Sequence, residues 1–200
     1  MACRLESLMD VYLVRHTTPD VAVGVCYGQA DVGLADSFDA EWLALSPKLE
    51  HLANPLVFSS PLQRCAKLAQ RAADHFKFPP PFTDTRLLEL NFGDWELKPW
   101  RDIPQGIVSE WTDEHVKQAP PNGESYVALH QRAKAFLYDL AKFQKNKQAL
   151  VFTHAGVIRA LVAEALNLPL REASRVELNY GSVTHIAVDA GVTRLEFVNR

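Results

Sequence analysis

VYLVRHT, residues 11–17, is the stretch from which the fold can be inferred. Its apolar part, residues 11–14, consists of residue types that favour buried β-strands. Arg15 and His16 follow directly where this apolar run ends. Two such polar side chains at the end of a buried strand need a partner there, because an unpaired polar group in the interior is costly. The stretch therefore predicts a strand that leads into a site for an anionic or reactive group.

The rest of the chain alternates between strand-like and helix-like segments. Strands are predicted at 11–16, 55–60 and 149–154, helices at 40–53, 60–76, 123–143 and 156–168, and two final strands at 182–199 around a turn at 189–191. In the helix at 60–76, Ser60 is expected to be the N-cap and Gln63 to complete a capping box. This order predicts one domain over residues 1–200, a three-layer α/β/α sandwich with a mixed, mostly parallel sheet.

Residues 92–123 do not fit the alternation, because they contain three tryptophans and four prolines without a helical or strand period. We interpret this segment as an insertion that folds over one end of the sheet and covers the active site, with some helix near 105–118. The three tryptophans of this segment, Trp95, Trp100 and Trp111, could then stack on a substrate ring or pack within the insertion.

Composition excludes several classes of function. The net charge of −3 gives no general attraction to nucleic acid or to anionic membranes, so an anion site must be local. Cys3, Cys26 and Cys65 lack the spacing of a disulfide framework or zinc site, and no two histidines form a metal-binding pair. From these residues we expect no metal and no other cofactor. No signal peptide or membrane span is expected either, which favours a cytoplasmic protein.

Cationic and imidazole side chains follow three of the predicted strands. Arg15 and His16 end the first, Arg64 lies in the first turn of the helix after the second, and His154 ends the third. The carboxyl ends of parallel strands meet at one edge of a sheet, where helix N-termini also lie. The sequence therefore predicts a shared pocket for a compact anion such as a phosphoryl group.

The histidines add reactivity to this pocket, because a neutral imidazole can attack phosphorus and an arginine cannot. Arg15 and Arg64 should disfavour protonation of His16 and keep it nucleophilic. His154 could stabilise the charge that develops on the phosphoryl oxygens. Cleavage of an ester also needs a proton donor, and Glu89 is the best candidate because it ends an apolar run before a glycine-containing turn.

Five ordered motifs resemble those of the histidine phosphatase superfamily, which has the phosphoglycerate-mutase-like fold. They are LVRHT at 13–17, SSPLQRC at 59–65, ELNFGDWE at 89–96, PNGES at 121–125 and THAG at 153–156. The resemblance implies a six-stranded sheet with one antiparallel strand and a metal-independent reaction. It also implies that His16 is phosphorylated, that Arg15, Arg64 and His154 bind phosphate, and that Glu89 donates the proton.

Within the superfamily, residues 15–34 are similar to the corresponding part of bacterial α-ribazole-5′-phosphate phosphatases, which act in cobalamin biosynthesis. This similarity implies hydrolysis of a small-molecule phosphate ester, with no nucleic acid or membrane partner. Three departures from the superfamily pattern are visible, one of which is KLA at 67–69 where QTA is common. Thr17 stands where a glycine is usual, and Ala22 stands where many members have a phosphate-binding asparagine.

Several alternatives remain open from the sequence. The same residues would serve a broad-specificity or sugar-phosphate phosphatase, a mutase with less support, or a non-catalytic module that binds a phosphorylated ligand. The proton donor could instead be one of three other carboxyl groups, Asp94, Glu96 or Glu124. The oligomeric state is not indicated.

Overall fold

A six-stranded mixed sheet forms the centre of the computed structural model, which describes residues 9–106, 108, 116–143, 147–189 and 192–200. Its strands lie in the order β5-β4-β6-β1-β7-β8. They are β1 (Met9–Arg15), β4 (Leu56–Ser59), β5 (Phe82–Thr83), β6 (Gln148–Thr153), β7 (Val183–Asp189) and β8 (Val192–Phe197), while β2 (Pro19–Asp20) and β3 (Gly33–Leu34) form a separate two-stranded ribbon.

The first strand lies inside the sheet, between two strands from the far end of the sequence. β1 pairs in parallel with β6, from Asp10 opposite Gln148 to Arg15 opposite Thr153, and antiparallel with β7. β4 and β5 continue the parallel part, and β7 pairs antiparallel with β8. One antiparallel strand among six is the arrangement that the resemblance implied.

Helices cover both faces of this sheet, as the strand–helix alternation predicted. They are α1 (Phe38–Leu45), α2 (Gln63–Phe76), α3 (Tyr126–Phe143) and α4 (Ala155–Ala165). Tyr12 and Val14 of β1 pack toward the cluster that contains residues of α1 and α2, whereas Val11 and Leu13 pack toward the cluster that contains residues of α3 and α4. Successive side chains point to opposite faces, so an apolar strand buried on both faces joins two cores in a three-layer sandwich.

The start of α2 differs from the sequence-based prediction. The helix begins at Gln63 rather than near Ser60, its N-cap residue is Leu62, and no side chain caps it. The Ser60 hydroxyl accepts only a 3.4 Å hydrogen bond from the Leu62 amide N–H and contacts a histidine from another strand. The predicted capping box was therefore wrong, because Ser60, the expected N-cap, forms a tertiary contact with a histidine instead.

Part of the 92–123 segment pairs with the loop after β2. The amide N–H of Leu97 donates to the Cys26 carbonyl, that of Cys26 to the Lys98 carbonyl at 2.9 Å, and that of Trp100 to the Gly24 carbonyl at 2.8 Å. The predicted helix near 105–118 and Trp111 lie largely outside the described residues, as does most of the predicted turn at 189–191. Among the helices described, none is long and apolar enough to cross a membrane.

Candidate active site

Three adjacent parallel strands bring the predicted site residues to one edge of the sheet. β4, β6 and β1 are neighbours, and each ends at this edge. His16 follows β1 directly and His154 follows β6, and Arg15 lies opposite Thr153 in the register. The rings of His16 and His154 consequently lie with their centroids 5.1 Å apart at an interplanar angle of 62°. The predicted convergence of the three strand ends is present in the structure.

His16 is held as a neutral imidazole with one free nitrogen. Its backbone N–H donates to the Thr153 carbonyl at 3.1 Å, and its Nδ1 lies 2.7 Å from the Thr17 carbonyl oxygen. A carbonyl can only accept, so Nδ1 carries the hydrogen. Burial of the ring, and then the positive charge of Arg64, lower the pKa of His16 to about 3. At neutral pH the other nitrogen, Nε2, is therefore unprotonated.

Arg15 and Arg64 supply positive charge at this edge of the sheet. The fully buried Arg64 donates to the carbonyl oxygens of Gly28 at 2.6 Å and Ala30 at 2.9 Å, and Arg15 donates to the Leu178 carbonyl. Within the part of the chain that the structure describes, neither guanidinium forms an ion pair, and the Nε of each is buried without a hydrogen-bond partner. One fully buried and one half-buried guanidinium with free donors and no ion pair favour binding of an anion.

Two tyrosines hold these arginines from the outer side. Arg15 Cζ lies 3.8 Å from the centroid of the Tyr180 ring, and Arg64 Cζ lies 5.2 Å from that of Tyr27. The two phenol hydroxyls are 3.1 Å apart, which is a hydrogen-bond distance. We call Tyr27 and Tyr180 the tyrosine pair. Each ring face attracts one guanidinium, and the contact between the hydroxyls links the two tyrosine–arginine pairs.

His154 is also neutral and completely buried. Its Nε2 lies 2.8 Å from Ser60 Oγ and 3.5 Å from Cys65 Sγ. Burial, and after it the nearby charges of His16 and Arg64, keep the pKa of His154 well below its usual value. A neutral ring has one N–H to donate, so His154 can stabilise an oxygen that becomes more negative but does not itself hold a full charge.

Glu89 is fixed by the first turn of α4. Its Oε2 accepts a hydrogen bond from the Gly156 amide N–H at 3.1 Å, and its Oε1 accepts one from the Leu90 amide N–H at 2.9 Å. Burial, and then the hydrogen bond with Tyr180, raise the pKa of the Tyr27 phenol, and the charge of Glu89 adds to this effect. A carboxyl group in this position lies at the same edge of the sheet as the histidines.

The rival carboxyl groups instead support the turn around Glu89. Glu96 Oε1 accepts from the amide N–H groups of two residues in neighbouring loops, and Asp94 accepts from the Asn122 side-chain amide. Glu124 binds Arg132 and the Asn91 amide N–H. Arg132 also donates to the Glu89 backbone carbonyl at 2.9 Å. These contacts account for the three rivals as structural groups that hold the Glu89 segment.

Sequence reasoning missed the tyrosine pair and assigned Ser60 to a different task. Tyr180 lies in the loop before β7, far from the other site residues in sequence, and no local pattern marks it. Thr17, which replaces the usual glycine, is completely buried, and its hydroxyl has no hydrogen-bond partner in the described structure. Ala22 lies exposed on the loop after β2. Among the residues described, no group of three or more His, Cys, Asp or Glu could hold a metal ion.

Comparisons with known proteins agree with this arrangement. A family model described as the histidine phosphatase superfamily (branch 1) matches residues 11–200. The adenosylcobalamin/α-ribazole phosphatase of Escherichia coli (strain K12) is 27% identical over 195 residues, with 96% of each chain covered. A glucosyl-3-phosphoglycerate phosphatase from Mycolicibacterium vanbaalenii is 28% identical over 169 residues, covering 79% of this chain and 74% of the relative.

Solved structures show the same architecture. The crystal structure of the α-ribazole phosphatase from Shigella flexneri superimposes with a TM-score of 0.85 at 26% identity, covering 96% of both chains. The likeness extends over nearly the whole sequence.

Proposed function

Because the chain belongs to the histidine phosphatase superfamily and is a phosphoric monoester hydrolase, we propose that it hydrolyses α-ribazole 5′-phosphate through a phosphohistidine at His16. The products are α-ribazole and inorganic phosphate, and the reaction belongs to cobalamin biosynthesis. The observation that carries this proposal is the neutral His16 ring with an unprotonated Nε2, which shares the sheet edge with two guanidinium groups that form no ion pair among the described residues.

In the first step, His16 Nε2 attacks phosphorus, and the bond between phosphorus and the ester oxygen breaks. Glu89 gives its proton to the departing alcohol oxygen, so that no free alkoxide forms. The hydrogen bond from His16 Nδ1–H to the Thr17 carbonyl stabilises the positive charge that the ring acquires on phosphorylation. In the second step, Glu89 takes a proton from water, the water oxygen attacks phosphorus, and phosphate leaves a neutral His16.

Arg15, Arg64 and His154 hold the phosphoryl oxygens in both steps. The two guanidinium groups match the dianion in charge, and their unpartnered Nε–H groups supply donors that are already in place. Preorganised donors of this kind stabilise the transition state without reorganising when charge develops. We also infer that the 92–123 segment covers the site, which is supported by its pairing with the loop at residues 24–26.

The substrate assignment is supported by relatives named as α-ribazole phosphatases that match over 96% of their length. A sugar-phosphate phosphatase is the second candidate, which the similarity to a glucosyl-3-phosphoglycerate phosphatase supports. A mutase is a further candidate, because a probable phosphoglycerate mutase from Erwinia tasmaniensis is 27% identical over 184 residues. A non-catalytic phosphate-binding module has no comparable observation in its favour.

The decisive experiment compares kcat/KM for α-ribazole 5′-phosphate with that for glucosyl-3-phosphoglycerate, phosphoserine and common nucleotides, and follows phosphoglycerate isomerisation in parallel. We expect α-ribazole 5′-phosphate to be preferred at least about tenfold. A higher value for the glucosyl substrate would favour the sugar-phosphate reaction, and isomerisation faster than hydrolysis would indicate a mutase.

The intermediate can be tested separately from the substrate. Rapid acid-free quenching during turnover, followed by mass spectrometry, should find a phosphoryl group on the peptide that contains His16. The His16→Ala variant should keep its fold, lose turnover and carry no label. A labelled peptide elsewhere, or full activity of the variant, would contradict the mechanism.

A further inference from the structure

A second recess adjoins the phosphate-binding residues. It has a volume of about 300 Å³ and is formed by the loop between β1 and the 28–30 turn. Its lining includes Pro19, Val21, Ala22, Val25 and the tyrosine pair. This volume is at the lower end of the range of about 300–1,000 Å³ for small-molecule sites, so it suits one compact ring system better than an extended chain.

The described residues that line this recess are mostly apolar and carry no ionisable acid or base other than the two phenols. Aliphatic side chains, glycine and one threonine make up the remainder of the residues that form it. Ala22 and Val23 are exposed at its mouth, and Val23 is fully exposed although it is an aliphatic residue. An open mouth with an apolar rim allows a ligand to enter, and burial of apolar surface favours a ligand with a hydrocarbon or aromatic face.

The tyrosine pair borders both this recess and the phosphate site. Tyr180 stacks on Arg15, and its ring centroid lies 5.6 Å from that of His16. Tyr27 approaches Arg64, and both tyrosines also line the recess. A molecule in the recess is thus separated from the nucleophile by little more than the edge of a phenol ring.

We infer that this recess is the leaving-group subsite and that it selects phosphomonoesters whose alcohol carries an uncharged ring over those whose alcohol carries a carboxylate. The inference rests on the proposed phosphatase function and adds the class of alcohol that the site accepts. An aromatic ring gains apolar burial and contact with the tyrosine pair. A carboxylate would lose hydration there and meet no cation or other charged partner among the lining residues.

Ala22 is the position that sets this preference. It faces the recess at the point where many members of the superfamily have a polar residue, so the wall there offers only a methyl group. An arginine at this position would place a cation in the recess and should reverse the selection. Val23 at the rim offers a second position for the same change.

The test uses benzyl phosphate and 4-carboxybenzyl phosphate, whose alcohols have similar acidity because the carboxylate is remote from the ester. For the unmodified protein we expect kcat/KM to be at least about tenfold higher for benzyl phosphate. Ala22→Arg and Val23→Arg should each shift the ratio at least about tenfold toward the carboxylated ester. Ala40→Arg, at an exposed position of α1, is the matched control and should leave the ratio unchanged.

Inhibition by inorganic phosphate, which has no leaving group, should remain within about twofold in Val23→Arg and Ala40→Arg, which would show that the phosphate site is intact. A ratio near one in the unmodified protein, or no shift in either recess variant, would overturn the inference while leaving the phosphatase reaction standing. Failure of the unmodified protein to hydrolyse either ester would instead contradict the proposed function.

Discussion

Glu89 and Gly156 fit each other so closely that a methyl group on Gly156 would lie 2.1 Å from Glu89 Oε1. The same glycine donates its amide N–H to Oε2 at 3.1 Å. The carboxylate therefore occupies the space that any side chain at position 156 would need. This contact couples the first turn of α4 to the proposed proton donor.

The Gly156→Ala variant should be folded but impaired in acid catalysis. Alanine favours a helix by up to about 1 kcal/mol over glycine, so the free energy of unfolding should not fall. The displaced carboxylate should lower kcat/KM for alkyl phosphates, which need a proton donor, by at least about tenfold. For 4-nitrophenyl phosphate, whose leaving group needs little protonation, the loss should be much smaller.

Two further variants serve as the comparison and the control for that measurement. Glu89→Gln should reproduce the dependence on leaving group, and Gly106→Ala, where an added methyl group meets nothing within 4 Å, should have no effect. Equal slowing of alkyl and aryl esters by Gly156→Ala and Glu89→Gln would remove Glu89 from the acid role.

The buried histidines should make the protein less stable as the pH falls. The pKa of His16 is lowered to about 3 in the folded state, while an unfolded histidine titrates near 6.5. Between these values the unfolded state binds the extra proton, so the free energy of unfolding decreases as the pH drops from about 6.5 toward 3. Each such site contributes a loss of ~1.4 kcal/mol per pH unit in this window.

Denaturant titrations at pH 7 and pH 4.5 without phosphate would measure this effect. His16→Gln should reduce the difference in unfolding free energy between the two pH values, because it removes one of the two lowered pKa values, and His154→Gln should do the same. An unchanged difference in both variants would mean that neither ring is held neutral in the folded protein.

Thr17 should behave differently from other buried threonines. Its hydroxyl has no hydrogen-bond partner, so Thr17→Val should keep or raise the free energy of unfolding. If the hydroxyl donates to a phosphoryl oxygen, the variant should also bind inorganic phosphate more weakly, by about threefold or more. Unchanged inhibition by phosphate would show that Thr17 does not contact the anion.

Thr153→Val provides the stability control for that experiment. Thr153 is equally buried, but its hydroxyl donates to the Leu87 carbonyl at 2.7 Å. Its replacement leaves that carbonyl unsatisfied and should lower the free energy of unfolding by about 1–3 kcal/mol. Thermal unfolding of the two variants side by side should therefore give shifts of different sign.

Tyr180 should support phosphate binding through its ring more than through its hydroxyl. Arg15 lies 3.8 Å from the ring centroid, and the hydroxyl contact with Tyr27 is a single 3.1 Å bond. Tyr180→Phe keeps the ring and should change the inhibition constant of inorganic phosphate by less than about twofold. Tyr180→Leu should weaken inhibition by about threefold or more, in line with a cation–π contact of ~0.5–1 kcal/mol. Equal effects of the two changes would refute the stacking role.

Chelators should not reduce activity. Each step proposed above uses an imidazole, a guanidinium or a carboxyl group, and none requires a metal-bound water. Incubation with EDTA followed by assay on an alkyl phosphate should give the original kcat/KM, and added Mg²⁺, Mn²⁺ or Zn²⁺ should not increase it. A loss that a divalent ion restores would contradict the mechanism.

The sequence was sufficient to predict the strand ends but not their surroundings. Arg15, His16 and His154 follow apolar runs that can be recognised in the sequence itself. Because parallel strands end at the same edge of a sheet, this was enough to predict that the three residues meet. Ser60 was misassigned because its hydroxyl has two possible partners, a local helix end and a distant histidine, and only tertiary structure decides between them. Tyr180 contacts Arg15 although the two residues are 165 positions apart in the sequence, and no sequence periodicity predicts such a contact.

The position of β1 also has a consequence for biosynthesis. Both strands that flank it, β6 and β7, come from residues 148–153 and 183–189, so the strand that leads into His16 has no lateral partner until residues 148–153 have been made. Closing loops of this length is entropically demanding and slows folding. Appearance of enzymatic competence during translation should accordingly be a late, all-or-none event, and recovery of turnover after dilution from denaturant should report completion of the central sheet.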